Sequence, residues 1–357
     1  MNKYASLQRA RRADSDYDMK SIPVEQAVGH VLAHDITRII KDLEKGPVFK
    51  KGHVIREEDI PVLLDVGKRN IYILEKDENM LHEDEAAAML RDITIGNNMT
   101  ASEPSEGKIE LKATCDGLFK VNSRALIKLN SLGEISVASR HGNIPVKAGE
   151  ILAGMRVIPL IISKEKMELA KKTERVFDLV SYKQKKCAII ATGSEVFTGR
   201  IKDTFTPVVE GKLKEFGADI IFKTISDDKK EAICEAIDEA LAKGADIICV
   251  TGGMSVDPDD LTPAAIREKC SEVVTYGAPV LPGAMFMLGF KDNGTAIMGL
   301  PGCVMFAGRT IFDLVLPRIF ADEKVTSDEI YALGEGGLCL KCPTCIYPNC
   351  GFGKGHA

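Results

Sequence analysis

Between residues 186 and 320 the apolar positions switch repeatedly between two periods. KCAIIAT (186–192), DIIFKTIS (219–226), ADIICVT (245–251) and TAIMGLPG (295–302) are short apolar runs bounded by charge or glycine. That is the pattern of strands buried on both faces. Between them, TPVVEGKLKEFG (206–217) places Val209, Leu213 and Phe216 on one helical face, with Gly217 as terminator. Residues 229–243 repeat Ala232, Ile233, Ala236, Ile237, Ala240 and Leu241 at helical spacing. A further helix is predicted from about Pro263, and a mostly apolar one over 304–320, kinked or ended near Pro317. Strands alternating with helices predict a parallel sheet covered on both faces, a three-layer α/β domain over 186–325.

Residues 20–163 follow another pattern. IYILE (71–75), KIELKAT (108–114), GLFKVN (117–122), EISVAS (134–139) and PVKAGEILAGMRVIPLII (145–162) are strand-like runs separated by turn residues, with one helix at HEDEAAAMLR. The expected organisation is a β-rich α+β region over 1–163 (one or two subdomains), a linker helix at 164–185, the α/β domain at 186–325, and a cysteine-rich tail at 326–357.

Composition alters this picture at its margins. The net charge of −5 gives no electrostatic case for nucleic acid as a partner. No apolar run approaches the roughly 18 residues that a membrane helix needs. The first twenty residues carry basic groups without an apolar core, so they are read as a frayed tail or the lead into a first strand, and the protein is expected in the cytoplasm. Six of the ten cysteines are scattered, and Cys187, Cys234 and Cys249 lie in apolar runs, where they are small buried hydrophobes.

In sheets of this type ligands bind beyond the carboxyl ends of the strands. The loops after Thr192, Ser226, Thr251 and Leu300 all fall on that edge. The stretch VTGGMSVDPDDLTP (250–263) is the most pointed: Gly252 and Gly253 permit a tight turn and close approach, and Thr262-Pro263 reads as an N-cap with proline at the first helical position. Asp257, Asp259 and Asp260 repel one another unless a cation or hydrogen-bond donors share the load. The loop after Thr192 offers Gly193, Ser194 and Glu195, followed by Arg200, Lys202 and Asp203. Ser226-Asp227-Asp228, taken alone, reads rather as a helix cap with acids in the first turn. Pro301-Gly302 ends a strand at a helix start and leaves backbone N–H groups free to meet an anion.

Two plainer features complete the inventory. HEDEAA (82–87) lacks the second histidine of a zinc motif and reads as an acid-rich first helical turn; Arg156 and Arg140-His141 read first as surface charge, with an anion reached across the domain cleft as the alternative. In the tail, Cys339, Cys342, Cys345 and Cys350 are spaced C-x₂-C-x₂-C-x₄-C, which suits an iron–sulfur cluster or a Zn²⁺ site, with an oxidised or mobile metal-free tail as the alternative.

Taken together, TGSEV, GRIKD, ISDD, TGGMSV with Asp260 ahead of Thr262-Pro263, and GLPG make residues 186–320 resemble the molybdopterin-binding domain of molybdopterin molybdenumtransferases and adenylyltransferases. GHVLAHDIT (29–37), FKKGHVI (49–55) and DVGKRNIYIL (65–74) resemble the N-terminal parts of the molybdenumtransferase type. The resemblance implies that Thr192, Gly193, Ser194, Thr251, Gly252, Gly253, Ser255, Pro301 and Gly302 hold molybdopterin or molybdenum cofactor. It implies that Glu195, Asp228 and Asp260 position Mg²⁺ or the transferred group, with Asp260 as a metal ligand. Pro301-Gly302-Cys303-Val304 departs from the family's proline-glycine-asparagine-proline, and the family's aspartate-glycine-tyrosine-alanine stretch is missing. The expected function is cofactor binding through the phosphate with Mg²⁺, in metal insertion or transfer, by a homodimer that serves a molybdoenzyme. The alternatives are a non-catalytic cofactor carrier or sensor, and a nucleotide pyrophosphatase of the same domain type.

Overall fold

The computed structural model describes residues 21–40, 44–73, 79–258 and 260–355. Asp259, His356 and the N-terminal tail therefore lie outside the described residues, as does the end of the 71–75 run. The described chain packs around separate apolar cores that follow one another in sequence.

The first core spans residues 21–73. Strand Ser21–Pro23 pairs antiparallel with Asn70–Tyr72, and Ile22, Val24, Leu32, Ile36, Leu63 and Ile71 bury together. The second core is β-rich. Lys108–Ala113 alternates outward and inward, so that Ile109, Leu111 and Ala113 face the interior. Helix Glu83–Thr94 covers that sheet with Ala86, Ala87 and Leu90. The HEDEAA stretch starts this helix: the His82 ring caps it, and Glu85 accepts from the His82 N–H. The apolar run 145–162 is divided into Ile144–Val146, Ile151–Val157 and Ile161–Ser163.

Residues 164–185 hold a helix, Lys164–Ala170, and then a strand, Phe177–Ser181, paired antiparallel with Gly117–Val121. Met167, Ala170, Phe177 and Leu179 are buried in the second core. This stretch thus packs as part of the β-rich region, and the connection to the α/β domain shortens to residues 182–185.

The α/β domain contains β1 (Lys186–Thr192), α1 (Phe205–Lys214), β2 (Asp219–Ser226), α2 (Lys230–Ala242), β3 (Ile247–Thr251), α3 (Thr262–Lys269), β4 (Glu272–Tyr276), β5 (Met287–Phe290), β6 (Ala296–Leu300) and α4 (Ile311–Phe320). The sheet order is β2-β1-β3-β6-β5-β4. The four strands expected from the sequence, β1, β2, β3 and β6, pair in parallel. β4 and β5 extend the sheet antiparallel, which the sequence reading did not anticipate. Alternate residues face opposite layers. Cys187, Ile189, Ile247 and Cys249 meet α1 and α4, whereas Ala188, Ile190, Ile248 and Val250 meet α2 and α3. The three-layer architecture follows. Burial pushes the Cys187 thiol up to about 12 and the Cys249 thiol well above its ordinary range, so both are inert packing groups.

The helix expected over 304–320 is in fact two elements. A single 3₁₀ turn, Gly302–Met305, is followed by an irregular stretch, and α4 begins afresh at Ile311. Thr310 starts it: its hydroxyl accepts from the Phe312 N–H at 3.2 Å, and Asp313 accepts from the Thr310 N–H at 2.7 Å. Pro317 does not end α4 but lies inside it. Proline lacks the N–H that would meet the carbonyl four residues earlier, that of Asp313. The Tyr347 hydroxyl donates to this carbonyl instead, at 3.3 Å. Tyr347 belongs to the tail, which is therefore docked. Phe352 is only 5% exposed in the α4 core, and the backbone on either side of Leu338 bonds to Leu281.

Candidate functional site

Strand register sets the site. Thr192 lies opposite Ser226, Ala191 opposite Thr251, and Thr251 opposite Leu300. The four loops therefore leave the sheet side by side at one level, in the order Ser226, Thr192, Thr251, Leu300. With strands about 4.8 Å apart, the row spans roughly 15 Å.

The third loop is the most constrained. Gly252 and Gly253 have φ of +90° and +54°, a region that disfavours side chains. A Cβ on Gly252 would lie 2.7 Å from the Thr192 hydroxyl and collide with the Thr192 carbonyl; one on Gly253 would lie 2.8 Å from the Thr262 hydroxyl. Both glycines are thus fixed by geometry and by crowding. Beside them the Thr251 hydroxyl oxygen is buried and has no hydrogen-bond partner. A buried polar atom left unpaired is unfavourable by about 1–3 kcal/mol, so a partner from outside the chain would relieve it. Thr262, which the sequence reading treated only as a cap, is fully buried under this turn, with its hydroxyl 3.4 Å from that of Thr192. Its place between a glycine turn and Pro263 was the available signal.

The acids play more local parts than their spacing suggested. The Ser194 N–H donates to Asp228 at 2.6 Å, and the Ser194 hydroxyl lies 3.1 Å from both Asp227 and Asp228. These bonds clamp the first loop to the second across 34 residues of sequence. Asp227 also pairs with Lys229 at 3.0 Å, and that contact, helped by Ser194, holds its carboxyl below the ordinary range. Asp260 accepts from the Ser255 N–H at 2.7 Å and so closes the third loop on itself. Glu195 is exposed beside Gly193, where the chain turns at a φ of +145°. In the fourth loop Pro301 is buried, whereas Gly302 stands in open space and no clash would exclude a side chain there. Burial pushes the Cys303 thiol up.

Among the described residues, no three His, Cys, Asp or Glu side chains are grouped so as to hold a metal ion. Glu195, Asp228 and Asp260 are thus brought to one edge but not around one point. Cys339, Cys342, Cys345 and Cys350 also do not converge on a single ion. Magnesium, however, is commonly held by one or two carboxylates together with substrate phosphates, a donor set that the edge can complete only with a ligand.

Several features escaped the sequence reading. Phe197, Ile201, Val256 and Phe306 are exposed apolar residues on these loops, and together they give the edge an apolar rim. A cavity of about 700 Å³ lies at the opposite end of the strands, beside Lys185, Asp246 and Thr295, far from this chemistry. A cavity of about 640 Å³ begins where the fourth loop ends, at Phe306, and is closed by the tail. Arg140 is held by Glu150 at 2.6 Å and by Asn349 of the tail at 2.7 Å, so it ties the tail to the β-rich region. Arg156 bonds through Nε to the Val157 carbonyl at 3.3 Å.

The chain is similar to several known proteins. Residues 188–321 match the family described as "Probable molybdopterin binding domain", and residues 21–75 match "Domain of unknown function (DUF8806)". The chain is 24% identical over 325 residues to a molybdopterin molybdenumtransferase of Staphylococcus aureus, covering 86% of this chain and 73% of that one. A molybdopterin molybdenumtransferase of Staphylococcus epidermidis is 24% identical over 305 residues, covering 79% of this chain and 66% of that one. The crystal structure of the molybdopterin biosynthesis enzyme MoaB from Thermus thermophilus matches 38% of this chain and 91% of its own at 22% identity, with a TM-score of 0.34. Among the described residues, no helix is long and apolar enough to cross a membrane. Residues 188–321 therefore match the molybdopterin-binding domain family, and the chain is similar over most of its length to molybdopterin molybdenumtransferases.

Proposed function

We propose that the sheet edge binds molybdopterin or molybdenum cofactor by its terminal phosphate and that the protein acts in assembly of that cofactor. The observation that carries this reading is the buried, unpartnered Thr251 hydroxyl beside the Gly252-Gly253 turn. A phosphate oxygen there would accept from Thr251 and from backbone N–H groups that the two glycines leave uncovered. Ser255 stands on the turn as a further hydroxyl donor, Ser194 is clamped by Asp227 and Asp228 on the neighbouring loops, and Thr192 supports the turn from below.

The dithiolene of the bound pterin supplies the sulfur ligands on which molybdenum or tungsten is carried. The protein's part is positioning. Glu195 and Asp260 flank the phosphate turn, and Mg²⁺ arriving with the phosphate would offset the charge between them. Asp228 holds Ser194 in place and is a positioning group in this scheme. The exposed Phe197, Ile201, Val256 and Phe306 would cover the ring system or meet a second copy of the chain, giving a homodimer able to pass the loaded cofactor to a molybdoenzyme.

Thr251→Val tests the reading, because it keeps the shape and removes the hydroxyl. Pterin affinity, followed through the fluorescent oxidised product, is expected to fall about tenfold while the unfolding midpoint stays level or rises. Unchanged affinity would sink the proposal. A non-catalytic carrier is the second reading, supported by Cys303 in the fourth loop and by the lack of the aspartate-glycine-tyrosine-alanine stretch. Under that role, Asp260→Asn would weaken binding without altering any metal transfer.

A further inference from the structure

The four tail cysteines do not stand on a loose appendage. Cys339 and Cys350 pack against the core that contains α4, while Cys342 and Cys345 are exposed. All four line the cavity of about 640 Å³ that begins at Phe306. Three independent contacts hold its walls. Cys339 donates its N–H to the Leu281 carbonyl at 2.8 Å, Tyr347 bonds to Asp313, and Phe352 is buried. Gly353 is required where the tail passes α4, since a Cβ there would meet Leu314 Cδ1 at 2.8 Å at a φ of +73°. The cysteine frame is thus held by contacts that leave the Cys342 and Cys345 thiols exposed.

We infer that this cavity is the seat of an iron–sulfur cluster ligated by Cys339, Cys342, Cys345 and Cys350, next to the fourth loop of the cofactor site. The Cys339, Cys342 and Cys345 spacing matches the C-x₂-C-x₂-C half of a ferredoxin-type run. A cluster held by four thiolates needs space between them, which the cavity they line supplies. The lining is also suitable: Phe306, Leu338, Leu340 and Ile346 are apolar and stand exposed around it, and a cluster would cover them. Lys341 lies on the rim, and the Lys354 ammonium is close enough to Cys350 for their charges to interact. Both would offset the negative charge of a thiolate-ligated cluster. In binding, each cysteine gives its proton to solvent and bonds one iron through Sγ. Iron and sulfide enter as a preassembled cluster, so no electron is gained or lost at the protein.

The test uses the full chain, purified without oxygen and analysed for iron, acid-labile sulfide and zinc. The expected result is a brown protein with iron and sulfide in equal amounts. Cys342→Ser and Cys345→Ser, both at exposed positions, are each expected to lose about tenfold or more of both while keeping a native circular dichroism spectrum. Cys115→Ser, in the β-rich region, should leave both unchanged. Stoichiometric zinc without iron or sulfide would overturn the inference. So would full iron retention in both tail variants, or no iron after reconstitution with ferrous iron and sulfide. Pterin binding is measured separately, so failure at the sheet edge and failure in the tail remain distinguishable.

Discussion

The sheet-edge loops and the cysteine tail lie side by side, sharing Phe306 at their border, yet the chain builds them by opposite means. The edge is made by backbone. Parallel register brings four strand ends to one level, and two glycines bend the third loop where no side chain fits. The tail is made mostly by docked side chains, with one backbone pairing at Leu281. Among the described residues it contains little regular structure beyond helix Ser327–Ala332, and it is fixed by Tyr347 on the Asp313 carbonyl, Phe352 among the α4 residues and Asn349 on Arg140. A site made by register can be read from strand ends. A site made by docking depends on contacts between residues far apart in sequence.

The largest effect that would break this contrast lies in the tail. Phe352→Ala removes a ring from a packed core, and such truncations lower stability by about 3–5 kcal/mol. Chemical denaturation of the full chain is expected to show a loss of that order. A midpoint equal to the wild type would mean that the tail is an appendage after all, and the cavity it closes would lose its frame.

The same contrast explains what the sequence disclosed. β1, β2, β3 and β6 were legible because each is an apolar run that ends in a loop of glycine or acid. β4 and β5 were not: EVVTY is half exposed and MLGF is only four residues long, so neither carries a clear period. The break before α4 was signalled by Thr310 and Asp313, a threonine with an acid three residues on, but the surrounding apolar residues concealed it. Pro317 reads in sequence as a kink or a helix end, and in the structure it lies inside α4. What keeps the helix running is Tyr347, thirty residues downstream, and no local pattern announces that. At the site, the Gly252-Gly253 turn was legible from its place after a strand. The roles of Asp228 and Asp260 as loop clamps were not, because a carboxylate that accepts from a backbone N–H looks in sequence like one that awaits a metal.

A smaller effect is expected at the edge, and it separates binding from folding. Gly252→Ala forces a side chain into a conformation at φ +90°, which is unfavourable by about 1–3 kcal/mol, and presses it against Thr192. Pterin affinity is expected to fall about 100-fold, because the turn must shift away from the phosphate position. Calorimetric titration checks it. Affinity within a factor of about two of wild type would show that the turn is structural only and that the ligand is held elsewhere on the edge.

The smallest effect concerns charge at the exposed clamp. Lys229 is the first cause of the low Asp227 pKa, with the Ser194 hydroxyl second among the favourable contacts. A carboxyl depressed in the folded state favours folding above the ordinary aspartate value of 3.8, and that contribution disappears as pH falls through the depressed value. The Ser194–Asp227 bond should therefore persist in acid somewhat below that point. Lys229→Met removes the leading partner while leaving Ser194, so the Asp227 titration, followed by carboxyl NMR, is expected to move up toward the ordinary value without reaching it. Because Lys229 is exposed and Asp227 is only partly buried, the fold as a whole should hardly respond. If the titration does not move, the clamp owes its charge state to Ser194 and the Asp228 N–H, and the two loops are joined by backbone geometry alone, as the glycine turn beside them is.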